Sequence, residues 1–178
     1  QGSAIDATFV TIQNTATGAT ESFKLTGSKA RVTTTTLTAT FTLTDGDLLA
    51  VKALVNTATL TSNAFMTITA GFVADTASNV NSVITSGVQA TAVTADTGAP
   101  TLAAFSSIDM NTGTLQLQFD EPVSLTGISF GLITIQAAQS SATLHTLAGT
   151  GTASYVDSTT KLGIQIVLAT SDTEAIGR

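Results

Sequence analysis

Residues 5–13 read IDATFVTIQ, and residues 128–136 read ISFGLITIQ. The shared Thr-Ile-Gln endings, at Thr11 and Thr134, lie 123 residues apart. Ahead of each ending the apolar side chains alternate, as they do in a strand with one buried face. A long sequence period with strand-like matches predicts tandem copies of one β domain.

Further matches follow in the same order, with an offset that drifts only between 122 and 125 residues. The matched pairs are Leu25/Leu147, Thr26/Ala148, Gly27/Gly149, Leu37/Leu162, Phe41/Ile166, Leu43/Leu168 and Asp47/Asp172. Residues 1–55 therefore correspond to residues 124–178. The first repeat lacks a counterpart of 99–123, and the second lacks a counterpart of 56–98.

These missing counterparts predict sandwiches with bare edges, which favour association. Either the sequence is a window from a longer array, or neighbouring chains supply the missing strands by strand addition. We favour the window, because strand exchange alone does not explain duplicated material at both ends. In either case we expect neighbouring protein to cover the exposed edges.

The composition is that of a compact β protein with few charges. Of the 178 residues, 43% are hydrophobic and 10% are charged, and threonine, a strand-favouring residue, is abundant. The net charge of -6 and the pI of about 4.3 argue against binding of nucleic acid, whose phosphates require a basic face. The absence of cysteine excludes disulfides and thiolate chemistry. No apolar run reaches the roughly 18 residues of a membrane span, so no membrane insertion is expected.

Alternation and turn residues place the elements of the first repeat. Thr33–Thr44 predicts a strand with Leu37 and Phe41 on the buried face. Asp45 is the expected cap of a short helix. The apolar stripe of that helix is Leu48, Val51, Leu54 and Val55. A further strand is expected over 65–73, followed by a turn at 75–79.

The second repeat opens after Gly/Pro punctuation at 96–100. Strands are expected over 102–108 and 114–119, joined by a turn at 110–113. The predicted division is a first β-sandwich repeat over 1–95, a linker over 96–100 and a second repeat over 101–178. The predicted fold class is all-β, with tandem antiparallel sandwiches and a short helix in each repeat.

The residues of the junction resemble a known family. Residues 96–100 read DTGAP and 115–123 read LQLQFDEPV, which resembles the opening of bacterial-type immunoglobulin-like repeats. Residues 73–80 look like the late turn of these repeats, with Ser78 where glycine is usual. Such repeats occur in large adhesins and S-layer proteins, and in long extracellular proteins of algae and large viruses.

The resemblance also implies a calcium site, because in such repeats the linker Asp and the acidic strand end can hold an ion between domains. Here those positions are Asp96, Asp120 and Glu121, with Asp75 near the same end. Carboxylates are hard oxygen ligands that suit Ca²⁺. The alternative is that these residues belong to turns and solvated surface. No other cofactor is expected.

An enzyme is not expected from these residues. The sole histidine, His145, is matched by Phe23 in the first repeat, so a packing role is simpler than catalysis. Asp120 and Glu121 are adjacent in a strand and point to opposite faces, which makes them a poor acid and base pair.

The function predicted from the sequence is a structural segment of a long extracellular or cell-surface fibre, a spacer that associates with copies of itself. The alternative is an adhesin-type module that recognises a glycan or a protein through loops. Ice binding by the threonine row of 34–44 is a minor alternative. It is disfavoured because Thr36, Thr38 and Thr40 become Lys161, Gly163 and Gln165 in the second repeat.

Overall fold

The chain folds into two compact units, unit 1 over Gln1–Gly98 and unit 2 over Ala99–Arg178, in a computed structural model. The structure describes residues 6–27, 29–32, 39–140 and 143–177. Its described strands all pair antiparallel, and its two α-helices are short. This confirms the all-β class.

The described residues of unit 1 form six strands and one α-helix. They are β1 (Val10–Gln13), β2 (Ser22–Lys24), β3 (Lys29–Val32), β4 (Ala39–Thr42), α1 (Asp45–Lys52), β5 (Phe65–Ile68) and β6 (Ile84–Gln89). Four of these strands form one sheet in the order β2-β1-β5-β6, and β3 and β4 form a separate hairpin. Short 3-10 helices at Ala7–Phe9 and Thr61–Asn63 precede β1 and β5.

In unit 2 the described residues also form six strands and one α-helix, with a different division between the sheets. They are β7 (Leu102–Asp109), β8 (Thr114–Phe119), β9 (Thr134–Gln136), β10 (Leu144–Thr146), β11 (Gly151–Tyr155), β12 (Gly163–Leu168) and α2 (Thr170–Ile176). The four-stranded sheet has the order β11-β12-β8-β7, and β9 and β10 form the two-stranded sheet. A 3-10 helix at Phe130–Leu132 precedes β9.

Two hairpin pairings of unit 1 recur in unit 2 at the offsets read from the sequence. In β1–β2 Thr11 lies opposite Lys24, and in β9–β10 Thr134 lies opposite Thr146. All four pairs of β3–β4 have a counterpart in β11–β12. At one end Lys29↔Thr42 is matched by Thr152↔Val167. At the other end Val32↔Ala39 is matched by Tyr155↔Ile164. Helix α1 and helix α2 follow the second hairpin in the same way.

The core of unit 2 lies between its two sheets. Along β12, Ile164, Ile166 and Leu168 are buried while Val167 is exposed, as the alternation of side chains across a strand requires. Leu115 of β8 joins this cluster, and Ile135 of β9 packs against it from the other sheet. In unit 1 a smaller cluster is formed by Ala7, Val10 and Leu25.

Helix α1 differs from the sequence expectation in its cap and in its buried face. Its cap is Thr44, whose hydroxyl accepts a hydrogen bond from the backbone N–H of Asp47 at 3.2 Å. The helix ends at Lys52, and Leu48 and Val55 of the predicted stripe are exposed. The buried residues are Asp47, Ala50 and Val51. The predicted stripe is therefore confirmed at Val51 and wrong at Leu48, because the carboxylate of Asp47 occupies the inward position instead.

Strand β5 is shorter than predicted, because Gly71 adopts a φ of 86° that ends the extended run. The turn at 75–79 is confirmed, with Asn79 N–H donating to the carboxylate of Asp75 at 2.8 Å. Within it Ser78 has a φ of 68°, in the left-handed region where glycine is unstrained. The expected strands over 102–108 and 114–119 are confirmed as β7 and β8. Leu37 and the side chain of Phe41 lie outside the described residues.

Replacing Ile166 by alanine tests the core of unit 2. Ile166 is 1% exposed, so Ile166→Ala is expected to lower the free energy of unfolding of this unit by about 2–4 kcal/mol, through lost burial and a residual cavity. Val167→Ala, one residue along and 42% exposed, is the control and is expected to cost much less. Urea unfolding followed by circular dichroism measures both, and equal losses would contradict the assigned faces.

Candidate functional site

A fully buried carboxylate sits in the first turn of the helix of unit 1. Asp47 is 0% exposed. Its Oδ1 accepts hydrogen bonds from the backbone N–H of Thr26 at 3.0 Å and from the Thr26 hydroxyl at 2.6 Å, and its Oδ2 accepts one from Gly27 N–H at 3.3 Å. A buried carboxylate requires such donors to offset its lost hydration. The side chain thereby ties helix α1 to the loop that follows β2.

The matched residue of unit 2, Asp172, is buried to the same degree but has different partners. Its Oδ1 accepts a hydrogen bond from Ala148 N–H at 2.9 Å and lies 2.8 Å from Nε2 of His145. Ala148 stands where unit 1 has Thr26, so the hydroxyl donor is missing. Oδ2 of Asp172 is buried without a donor among the described residues.

His145 replaces Phe23 in the fold as well as in the sequence. Phe23 lies opposite Ile12 in β1–β2, and His145 lies opposite Ile135 in β9–β10. The imidazole thus fills the place of an aromatic ring and supplies the polar contact that the Ala148 side chain cannot. This geometry supports the packing interpretation of His145, and the absence of enzymatic activity stays a prediction.

The pair Asp47/Asp172 is matched in the sequence, but its burial was not predicted. One feature of the sequence indicates this burial. Of the two carboxylates in 45–47, only Asp47 has an acidic counterpart in the second repeat. A charged residue kept at an otherwise apolar face indicates a buried polar contact. Its donors, supplied by a loop about 20 residues away, could not be identified from local spacing.

Three of the four carboxylates proposed for calcium, Asp75, Asp96 and Asp120, have partners within their own unit. Asp75 and Asp96 belong to unit 1. Asp75 accepts hydrogen bonds from the backbone and the side chain of Asn79, which hold its pKa below the usual value. Asp96 lies 3.0 Å from Nζ of Lys52, and this contact is the main cause of its lowered pKa.

Asp120 and Glu121 belong to unit 2, at the end of β8. Asp120 accepts hydrogen bonds from both the hydroxyl and the backbone N–H of Thr101, which lower its pKa. Glu121 is half-buried. Within the described part of the chain, no group of three or more His, Cys, Asp or Glu side chains is placed to hold a metal ion. Calcium binding at these residues stays a prediction.

Comparison with known proteins found no match to any family model, curated protein or solved structure. The resemblance to immunoglobulin-like repeats therefore rests on the quoted motifs alone. No helix in the described ranges is long and apolar enough to cross a membrane.

The contrast between Thr26 and Ala148 generates a stability prediction. Ala148→Thr is expected to stabilise unit 2 by about 1 kcal/mol, because its hydroxyl supplies a donor to the buried carboxylate of Asp172. Ala148→Val has nearly the same shape without the donor and is the matched control. Thermal unfolding compares the variants, and an equal effect of Thr and Val would show that the hydroxyl does not reach the carboxylate.

For calcium, the structure identifies the Lys52 ammonium as a competitor for Asp96. If the ion binds through Asp96, calorimetric titration is expected to give tighter binding in Lys52→Met than in the native chain, and weaker binding in Asp96→Asn. Magnesium serves as the ion control. An absence of calcium-specific heat in all three proteins would contradict the predicted site.

Proposed function

We infer that the chain is a structural segment of a long extracellular fibre or cell-surface protein built of tandem immunoglobulin-like β-sandwich repeats. In this role it acts as a spacer or a filament-forming segment and associates with copies of the same protein. The proposed role is mechanical rather than chemical: the segment extends an assembly and resists its deformation.

The recurrence of strand pairings carries this proposal. Two hairpins and a helix of unit 1 have counterparts in unit 2 with the same pairing partners, although many of their side chains differ. A chain that devotes its length to copies of one fold gains reach and stiffness. It gains no new chemistry from the second copy.

The use of polar side chains supports the same function. Asp47 and Asp172 anchor a helix to a loop in their respective units. Asp75 and Asp157 organise surface turns, with Thr159 N–H donating to the carboxylate of Asp157 at 2.8 Å. These carboxylates hold the backbone in place, as expected of a load-carrying domain.

An adhesin-type module remains the alternative function, and the concave surfaces of unit 2 bear on it. Two cavities of about 510 and 500 Å³ are lined mainly by aliphatic side chains, with one aromatic residue each, Phe119 and Phe105. Recognition sites for small ligands combine an apolar lining with several convergent polar groups. The mainly aliphatic lining favours the spacer.

Imaging tests the proposed function. Electron microscopy of the native assembly is expected to show filaments with an axial period set by one repeat, and sedimentation of residues 1–178 is expected to show association that increases with concentration. Short-range apolar contacts drive such association, so it should persist at high salt. Monomers at every concentration, together with an assembly that lacks an axial period, would contradict the proposal.

A further inference from the structure

An apolar groove in unit 2 runs along the side of β9 that faces away from β10. Among the described residues, β9 pairs with β10 alone. The groove has a volume of about 500 Å³. Its lining comprises Leu102, Phe105, Leu115, Leu117 and the residues 132–136. Leu102 and Phe105 are 55% and 51% exposed, so a large apolar surface lies next to a strand edge.

Unit 1 shows how the equivalent edge is filled. There β5 pairs antiparallel with β1, and β6 pairs with the far side of β5. The chain beyond β5 continues the contact, because Thr69 N–H donates to the carbonyl oxygen of Phe9 at 3.0 Å. Gly71 then passes close to the Phe9 ring. Strand β5 and the turn after it cover this edge, and β6 in turn covers β5.

Matched side chains differ in exposure as this covering predicts. Val10 is 2% exposed, whereas its counterpart Ile133 is only half-buried. Gln13 is 9% exposed, whereas Gln136 is exposed. Leu132 is 85% exposed, although its counterpart Phe9 is half-buried. The matched residues of unit 1 therefore show how much exposure this surface loses when a strand covers it.

The backbone of β9 is oriented for the same pairing. Leu147 N–H donates to the carbonyl oxygen of Ile133, as Leu25 N–H donates to that of Val10. Since hydrogen-bonding groups alternate between the two edges of an antiparallel strand, Thr134 and Gln136 direct their N–H and C=O groups to the open side. In unit 1 the matched groups belong to Thr11 and Gln13, which lie opposite β5.

We propose that the open edge of β9 and its groove bind a β-hairpin of the Phe65–Gln89 type, carried by another repeat of the same kind. This inference deepens the proposed function, on which it rests for the source of the hairpin. The transferred register pairs Ile133 with the Ile68 position, Thr134 with Thr67, Ile135 with Met66 and Gln136 with Phe65.

Side-chain complementarity favours this occupant. Met66 lies opposite Val88 in the β5–β6 hairpin, so the two side chains share one face. They are 36% and 55% exposed in unit 1. A docked copy places equivalents of both side chains over the groove, where Leu102 and Phe105 offer apolar surface. Burial of these groups on both partners stabilises the pairing.

The decisive experiment supplies the hairpin in register. A second copy of residues 54–98 is attached after Arg178, because the offset of 125 residues places Arg178 level with Ala53. Amide hydrogen exchange at Thr134 and Gln136 is expected to slow by about tenfold or more relative to the native chain, since both amides become hydrogen-bonded. Ile135, which pairs with His145, is the internal reference.

The controls distinguish strand pairing from a non-specific apolar contact between the attached segment and the groove. An extension with the same residues in scrambled order is expected to leave exchange at Thr134 and Gln136 unchanged. In the extended chain, Thr134→Pro removes one edge donor and is expected to restore fast exchange at Gln136, whereas Thr134→Val keeps the donor and the protection. No slowing with the native extension, or equal slowing with the scrambled one, overturns the proposal.

The outcome is independent of the test of the proposed function. Filaments with an axial repeat, combined with unprotected Thr134 and Gln136 in the extended chain, would refute the hairpin site and leave the structural role standing. Protection in the extended chain, combined with a native protein that forms no periodic assembly, would do the reverse.

Discussion

Each unit of this chain depends on one requirement: a carboxylate that is buried away from water must accept hydrogen bonds from nearby donors. Asp47 and Asp172 lie in the first turns of the two helices at fully buried positions, and their backbone donors come from the loops that follow β2 and β10. Satisfying the carboxylate fixes the helix against that loop, and hence fixes one hairpin relative to the next. An unsatisfied buried charge is among the costliest defects a small domain can carry, so this contact constrains both segments together.

The sequence located several of the strands and was insufficient for the polar contacts that join them. Alternation located β8, because a strand with one buried face has a strict period of two. The cap of α1 was misassigned, since Thr44 and Asp45 are both good capping residues and the inward turn of Asp47 decided between them. The end of β5 depended on the backbone angle of Gly71, which the residue permits but does not dictate.

The candidate ion ligands illustrate a different limit. Asp96 and Asp120 carry the side chains that calcium prefers, but the same oxygens accept hydrogen bonds and ion pairs from nearer groups. Lys52 and Thr101 are separated in sequence from the carboxylates they contact, by more than a turn or a capping motif spans. Spacing motifs identify which atoms are suitable as ligands. The competition for those atoms is decided by tertiary structure.

The two donor sets also constrain how such repeats can be exchanged. Unit 1 donates to both oxygens of its carboxylate from Thr26 and Gly27, whereas in unit 2 His145 and Ala148 contact only Oδ1 of Asp172. A recombination boundary between the hairpin strand and its loop therefore gives two hybrids that differ in stability. A hybrid that takes Phe23 from one copy and Ala148 from the other leaves the buried carboxylate with a single backbone donor, at a cost of about 1–3 kcal/mol. The reciprocal hybrid, with His145 and Thr26, has donors in excess. Gene conversion among repeats is therefore expected to retain the hybrid with His145 and Thr26 far more often than the hybrid with Phe23 and Ala148.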